Sequence, residues 1–193
     1  PTVLFSVLGT IDDVRKAVTM DVKTPDDIVY CVGQTCEEMG GSEYFAMQGS
    51  IGNQVPQVRA GEAKELYHRL HRAIMEGLIA SCHDCSDGGM GVALAESAFA
   101  GGFGMEVNLG KVPAQGIKRD DYLLFSESQS RFVVTVHPEK KDAFLAVMKG
   151  ISLGEIGRVT KGKAFTVTGL KGQKIIQGDI YKLKAAWQRP LGV

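Results

Sequence analysis

Three polar segments of this chain hold the residue types that chemistry needs. Residues 80–100 read ASCHDCSDGGMGVALAESAFA: a short extended run ends in two acids and two glycines, and a helix begins at once. The first N–H groups of a helix are unpaired and its dipole end is positive, so Ser86, Asp87, Gly88 and Gly89 could form a ligand loop. An ordinary helix cap at Ser86 or Asp87 is the competing reading. Residues 39–44, MGGSEY, place Gly40 and Gly41 before a hydroxyl and a carboxylate, which could cradle a phosphate or simply turn the chain into a helix capped by Ser42. Residues 124–131, LFSESQSR, gather hydroxyls, an acid, an amide and an Arg at the mouth of a strand, as either a site lining or a solvated loop. The run Cys82-His83-Asp84-Cys85 supplies only part of a zinc ligand set. Cys31 and Cys36, with four residues between them at a strand end, complete it poorly, and small core side chains are the simpler role for these thiols.

The elements that must position these segments follow from periodicity. Residues 61–79 form the clearest helix, with Ala63, Leu66, Leu70, Ile74 and Leu78 on one stripe. The helix at residues 90–100 carries Glu96 as its one charge, which predicts burial against a sheet. β-branched and apolar runs predict strands at residues 2–8, 27–32, 103–109, 131–136, 155–160, 164–167 and 174–177. A helical turn is expected within residues 12–20, a turn or short helix at 120–126, and helices at 138–149, with Pro at its start, and at 179–187. Residues 33–53 read as loop with short helical turns. The fold class that fits is α+β, a mixed β-sheet covered by helices, forming one domain over residues 1–193.

Composition narrows the function classes. The 193 residues carry 22 basic and 22 acidic side chains with no basic run, which argues against nucleic-acid or anionic-membrane binding. No stretch has the apolar length to span a bilayer and no leader pattern is present, so a cytoplasmic setting is the default. A strand-like run directly after Pro1 reads as a piece of a longer polypeptide. Glycine, at 24 residues, exceeds its usual share of ~7% and often stands in pairs, which brings backbone close to a ligand or makes tight turns.

The segments GGSEY, HDCSDGGMGVALAE, LFSESQSRFVVTV and IGRV follow one another in an order that resembles the formylglycinamide ribonucleotide amidotransferase (phosphoribosylformylglycinamidine synthase) family over nearly the whole chain. Cys85 departs from the pattern, standing where the family more usually has an aliphatic residue, which further weakens the metal reading. The resemblance implies the C-terminal domain of an aminoimidazole ribonucleotide synthetase-like unit. That unit is an ATP-dependent carbon–nitrogen ligase joining glutamine-derived ammonia to formylglycinamide ribonucleotide in purine biosynthesis. It further implies that ATP and Mg are held mainly by an N-terminal synthetase domain, that a glutaminase subunit or domain supplies ammonia, and that this part is inactive alone. The substrate-binding residues implied are Gly40, Gly41, Ser42 and Glu43, with backbone N–H groups on phosphate. Asp84, Ser86, Asp87, Gly88 and Gly89 follow as acids orienting the loop or meeting sugar hydroxyls or magnesium, then Glu127, Ser128, Gln129 and Arg131. No metal ligand set and no catalytic residue is assigned. Two alternatives remain: a related ATP-dependent synthetase of the same superfamily, and a non-catalytic metal-binding or interaction domain.

Overall fold

The computed structural model describes residues 5–192. Its sheet runs β2-β4-β1-β5-β3-β6-β7, antiparallel throughout except for the parallel β3–β6 pair. The strands are β1 (Ile28–Val32), β2 (Ser81–Asp84), β3 (Gly104–Asn108), β4 (Phe132–Val136), β5 (Leu153–Thr160), β6 (Ala164–Thr168) and β7 (Lys174–Asp179). The helices are α1 (Glu43–Met47), α2 (Ala60–Met75), α3 (Gly89–Gly101), α4 (Asp120–Phe125), α5 (Lys141–Val147) and α6 (Ile180–Gln188).

β1 shows why the sheet is central. It lies between β4 and β5, and all five of its residues are buried. Side chains alternate across a strand. Val29 and Cys31 therefore join a core with Met90, Leu94 and Ala98 of α3, Leu123 of α4 and Ile180 of α6. Ile28, Tyr30 and Val32 join a second core with Leu66, Leu70 and Ala73 of α2 and Phe144 of α5. Burying a large aliphatic or aromatic side chain contributes about 1.5–3 kcal/mol, so a strand buried on both faces fixes its register firmly. The α2 stripe expected from sequence is the one that packs, and the small residues of α3 allow a close approach. At Gly101 a Cβ would collide with the backbone of Val22.

The differences from expectation are local. Residues 2–4 of the strand expected at 2–8 lie outside the described residues, and residues 5–8 form no strand. Phe5, Val7 and Leu8 are exposed there. An apolar β-branched run becomes a strand only when a sheet edge accepts it. The helix expected at 138–149 is a 3-10 turn, Pro138–Lys140, followed by α5, and the turn within 12–20 is a 3-10 helix, Val14–Lys16. Among the described residues no helix is long and apolar enough to cross a membrane.

Candidate functional site

The three polar segments meet, and Glu127 is where they meet. Its Oε1 accepts the Glu43 N–H at 3.1 Å and the Gly88 N–H at 2.9 Å. Those donors open α1 and α3, so one carboxylate faces the positive ends of two helices. The Glu127 N–H in turn donates to Glu38 O at 3.3 Å.

Glu127 is held there by its neighbours. Ser126 and Ser128 are wholly buried. The Ser126 hydroxyl donates to Cys36 O at 2.6 Å, and Ser128 Oγ accepts the Cys36 N–H at 3.0 Å. Arg131 lies beneath them, 1% exposed. Its Nε donates to Ser128 O at 3.1 Å, Nη1 to Thr35 Oγ1 at 3.1 Å, and Nη2 to Ser126 O. This guanidinium clamps the chain after β1 to the chain before β4. It is turned inward, so the expectation that Arg131 and Ser128 contact substrate gives way to a positioning role.

The glycine pairs are also explained from within. The expectation was that N–H groups of Gly40 to Glu43 meet a phosphate. Instead the Gly40 N–H donates to Gln54 O and the Gly41 N–H to Ile51 O, each at 2.7 Å. The Ser42 N–H donates to Met39 O, and Glu43 N–H to Glu127. No N–H of this loop is left for an anion: residues 51–54 take those of Gly40 and Gly41, and Met39 and Glu127 take those of Ser42 and Glu43. Gly88 and Gly89 both have positive φ, at 76° and 63°. A Cβ on Gly89 would collide with Ser126 O and Leu124 O, so this pair exists for chain reversal and close packing.

What remains facing outward is Gly41, Glu43, Asp84, Ser86, Asp87 and Gln129, while Gly40, Ser42, Gly88 and Gly89 are internal. Four carboxylates (Glu43, Asp84, Asp87 and the half-buried Glu127) make this rim acidic, which disfavours a bare phosphate and suits hydroxyl groups. Among the described residues no three His, Cys, Asp or Glu side chains come together to hold a metal ion. The N–H groups of Gly40 to Glu43, all engaged within the protein, form no triphosphate cradle. The zinc alternative does not fit either. All four cysteines are free, and Cys85 sits in the core with Met90 and Leu94. Burial pushes the Cys31 thiol up to about 11 and those of Cys82 and Cys85 to about 12.

Several residues of the arrangement carry no local sequence signal. Glu38 is 5% exposed, and its Oε1 accepts Arg59 Nη2 at 2.7 Å and the Gln57 N–H at 3.1 Å. Burial opposes its ionisation, but the Arg59 guanidinium and the other donors hold its carboxyl below the usual value. Tyr44 stacks on Phe125 with ring centroids 4.8 Å apart and donates to Asp121 Oδ2 at 3.1 Å, tying α1 to α4. At the other end of the acidic loop His83 Nε2 lies 2.8 Å from Glu96 Oε2, and Trp187 Nε1 donates to Glu96 Oε1 at 2.7 Å. That chain of contacts joins β2, α3 and α6.

The model of the AIR synthase related protein, C-terminal domain, matches residues 24–169. The phosphoribosylformylglycinamidine synthase subunit PurL of Caldanaerobacter subterraneus subsp. tengcongensis is 38% identical over 191 residues, covering 97% of this chain and 25% of that protein. The Moorella thermoacetica subunit of the same name is 35% identical over 196 residues, covering 100% of this chain and 26% of that one. The chain thus spans about a quarter of the length of these curated relatives. Among solved structures, T. maritima PurL complexed with FGAR superposes with a TM-score of 0.77 at 20% identity, over 88% of this chain and 30% of that one. T. maritima PurL complexed with ATP gives a TM-score of 0.71 at 20% identity, over 88% and 27%. PurLQS from Thermotoga maritima gives 0.71 at 22%, over 86% and 27%. At such identities these structures speak for the fold, a mixed sheet of class α+β with covering helices. On the family model and its span, the chain belongs to the family of AIR synthase related proteins, C-terminal domain.

Proposed function

We propose that this domain is the C-terminal module of an ATP-dependent carbon–nitrogen ligase that converts formylglycinamide ribonucleotide and glutamine-derived ammonia to formylglycinamidine ribonucleotide. The observation that carries the reading is the convergence of the GGSEY, SDGG and SESQSR segments on Glu127. Three stretches far apart in sequence are locked into one rim, and an arrangement built that rigidly suits a binding wall. In this reading the module supplies one wall of the substrate site and helps exclude water from it. Glu43, Ser86 and Asp87 meet ribose hydroxyls, and Gln129 a polar edge of the substrate. Gly40, Gly41, Ser42, Gly88, Gly89, Glu127, Ser128 and Arg131 act by holding those side chains in place.

ATP supplies the phosphoryl group that activates the amide oxygen, and it is held with Mg by an N-terminal synthetase domain. The acidic rim and the fully engaged loop N–H groups of this chain support that division. Ammonia comes from a glutaminase subunit or domain, the module is inactive alone, and the working compartment is the cytoplasm. The relatives named as phosphoribosylformylglycinamidine synthase subunits support the reaction, and the structures titled with FGAR, with ATP and as PurLQS support substrate, nucleotide and partner in turn.

Calorimetric titration of the 193-residue chain with formylglycinamide ribonucleotide tests the reading, with ribose 5-phosphate for comparison. Binding of the full substrate that weakens on Asp87→Ala, an exposed and structurally unengaged position, is the expected result. Substrate binding that is indifferent to Glu43, Ser86 and Asp87 substitutions would remove the rim from the substrate site.

A further inference from the structure

A cavity of about 430 Å³ lies where the exit of β1, the first turn of α2 and the loops at 129–130 and 150–152 come together. Its size is in the range of sites for small organic ligands, ~300–1,000 Å³. The exposed acids of the Glu127 rim are not part of its wall.

The charges of the cavity exclude an anion. Arg59 is matched by Glu38 at 2.7 Å, and Glu65 by Arg69 at 2.7 Å. Glu62, at the mouth, has no ion pair among the described residues, so the unbalanced charge is negative. The polar groups are otherwise neutral and able both to donate and to accept. Gln34 is oriented by the Ser152 hydroxyl, which donates to its Oε1 at 2.8 Å and leaves Nε2 only a long contact to Thr35 O at 3.5 Å. Gln129 is exposed and makes no side-chain hydrogen bond among the described residues.

The floor is apolar, formed by the buried Ala63 and Leu66 with half-buried Ile151. Two stretches of wall are bare backbone: a Cβ built on Gly61 or Gly150 would meet nothing within 4 Å beyond the adjoining backbone. A flat group can therefore slide in over the floor without moving a side chain.

We propose that this cavity is a binding site for an uncharged nucleoside, the base lying on the Ala63, Leu66 and Ile151 floor with its polar edge on Gln34 and Gln129. The sugar hydroxyls donate to Glu62, the way a lone carboxylate commonly meets a ribose. A nucleoside supplies all three features the cavity asks for: a flat apolar face, an edge with mixed donors and acceptors, and hydroxyls. A nucleotide brings a phosphate toward Glu62 and binds less well. The site shares Gln129 with the substrate wall proposed above but does not otherwise rest on that reading, and the Gly61 variant tests it apart from that wall.

The test is a nuclear magnetic resonance titration of the 15N-labelled 193-residue chain with inosine and with adenosine, against inosine 5′-monophosphate and free ribose. Saturable shifts of the Gly61, Ser130 and Gly150 amide signals with a nucleoside, weaker with the monophosphate and absent with ribose, are expected. In Gly61→Leu the added side chain starts from a Cβ with open space around it at the wall of the cavity, and leucine is the better helix former. Nucleoside affinity should fall by at least about tenfold with no loss of melting temperature. Gln129→Ala, at an exposed position, serves as a second variant and should weaken nucleoside binding several-fold. The proposal is overturned by the absence of saturable shifts with both nucleosides, by binding that survives both substitutions, or by tighter binding of the monophosphate.

Discussion

Replacing Glu127 measures how much of the rim depends on one carboxylate. Glu127→Ala removes two hydrogen bonds from backbone donors to a charged acceptor, at 2.9 and 3.1 Å. Such bonds contribute about 1.5–3 kcal/mol each, and half-exposure places them at the low end. The favourable interaction of the charge with two helix N-termini is lost with them. The expected cost is about 2–4 kcal/mol in all. Glu127→Gln keeps one carbonyl oxygen able to accept both N–H groups but no charge, so about 1–2 kcal/mol is expected. Urea unfolding followed by the fluorescence of Trp187, the chain's single tryptophan, reads both values. That ring packs on Phe99 of α3 at a centroid distance of 5.8 Å and should report loosening of this helix. Amide exchange should quicken at Glu43 and Gly88 together, because one oxygen serves both. If both variants cost less than about 0.5 kcal/mol, or exchange quickens at only one of the two amides, the keystone argument is wrong.

Arg131→Lys should cost about 3 kcal/mol or more in the same unfolding assay, since one ammonium cannot serve the three acceptors that the guanidinium reaches and leaves buried oxygens unpaired. A loss below about 1 kcal/mol would show that water replaces it. Asp27, on the far end of β1 from the rim, is 0% exposed, and neither carboxylate oxygen has a side-chain hydrogen-bond partner among the described residues. Burial raises its pKa above the ordinary 3.8, so the folded state holds the proton more tightly than the unfolded state. The resulting stabilisation is complete below pH 3.8 and is lost as pH rises through the raised folded value. Asp27→Asn should therefore gain stability over the parent at pH 8 and less at pH 5, and a gain that grows on acidification would contradict this. With thiols raised to about 11 and 12, Cys31, Cys82 and Cys85 should resist a thiol reagent at neutral pH until the protein is unfolded. Metal analysis should find no zinc, and zinc near one per chain would revive the metal alternative.

Much of the fold was legible because its signals are local. The stripe of Leu66 and Leu70, the nearly uncharged α3, and the β-branched β1 and β4 each state their burial in their own composition, and the structure uses them so. The run at residues 5–8 makes the opposite point. Its composition is that of a strand, but strand formation needs a partner edge, which no local pattern encodes. The Gly40-Gly41 loop departs from its local signal for a related reason. Free N–H groups are the default for a glycine turn read alone, and only the return of residues 51–54 removes them.

The SESQSR segment shows why sites are harder to read than cores. From residue 126 to 129 burial alternates, with Ser126 and Ser128 inside and Glu127 and Gln129 toward the outside. Periodicity is recognised by hydropathy, which presumes that inward residues are apolar. Here they are hydroxyls, because the backbone of Cys36 and Glu38 crosses beneath them and needs partners. An unpaired buried N–H or C=O costs about 1–3 kcal/mol, so polar side chains inside are as strongly required at this point as leucines are under α2. The same requirement draws Arg131 inward, against the usual exposure of arginine. A string of serines, an acid, an amide and an arginine is thus sorted by the fold into an inner half that positions and an outer half that is free to bind. Composition describes both halves alike, and only the path of the neighbouring chain separates them.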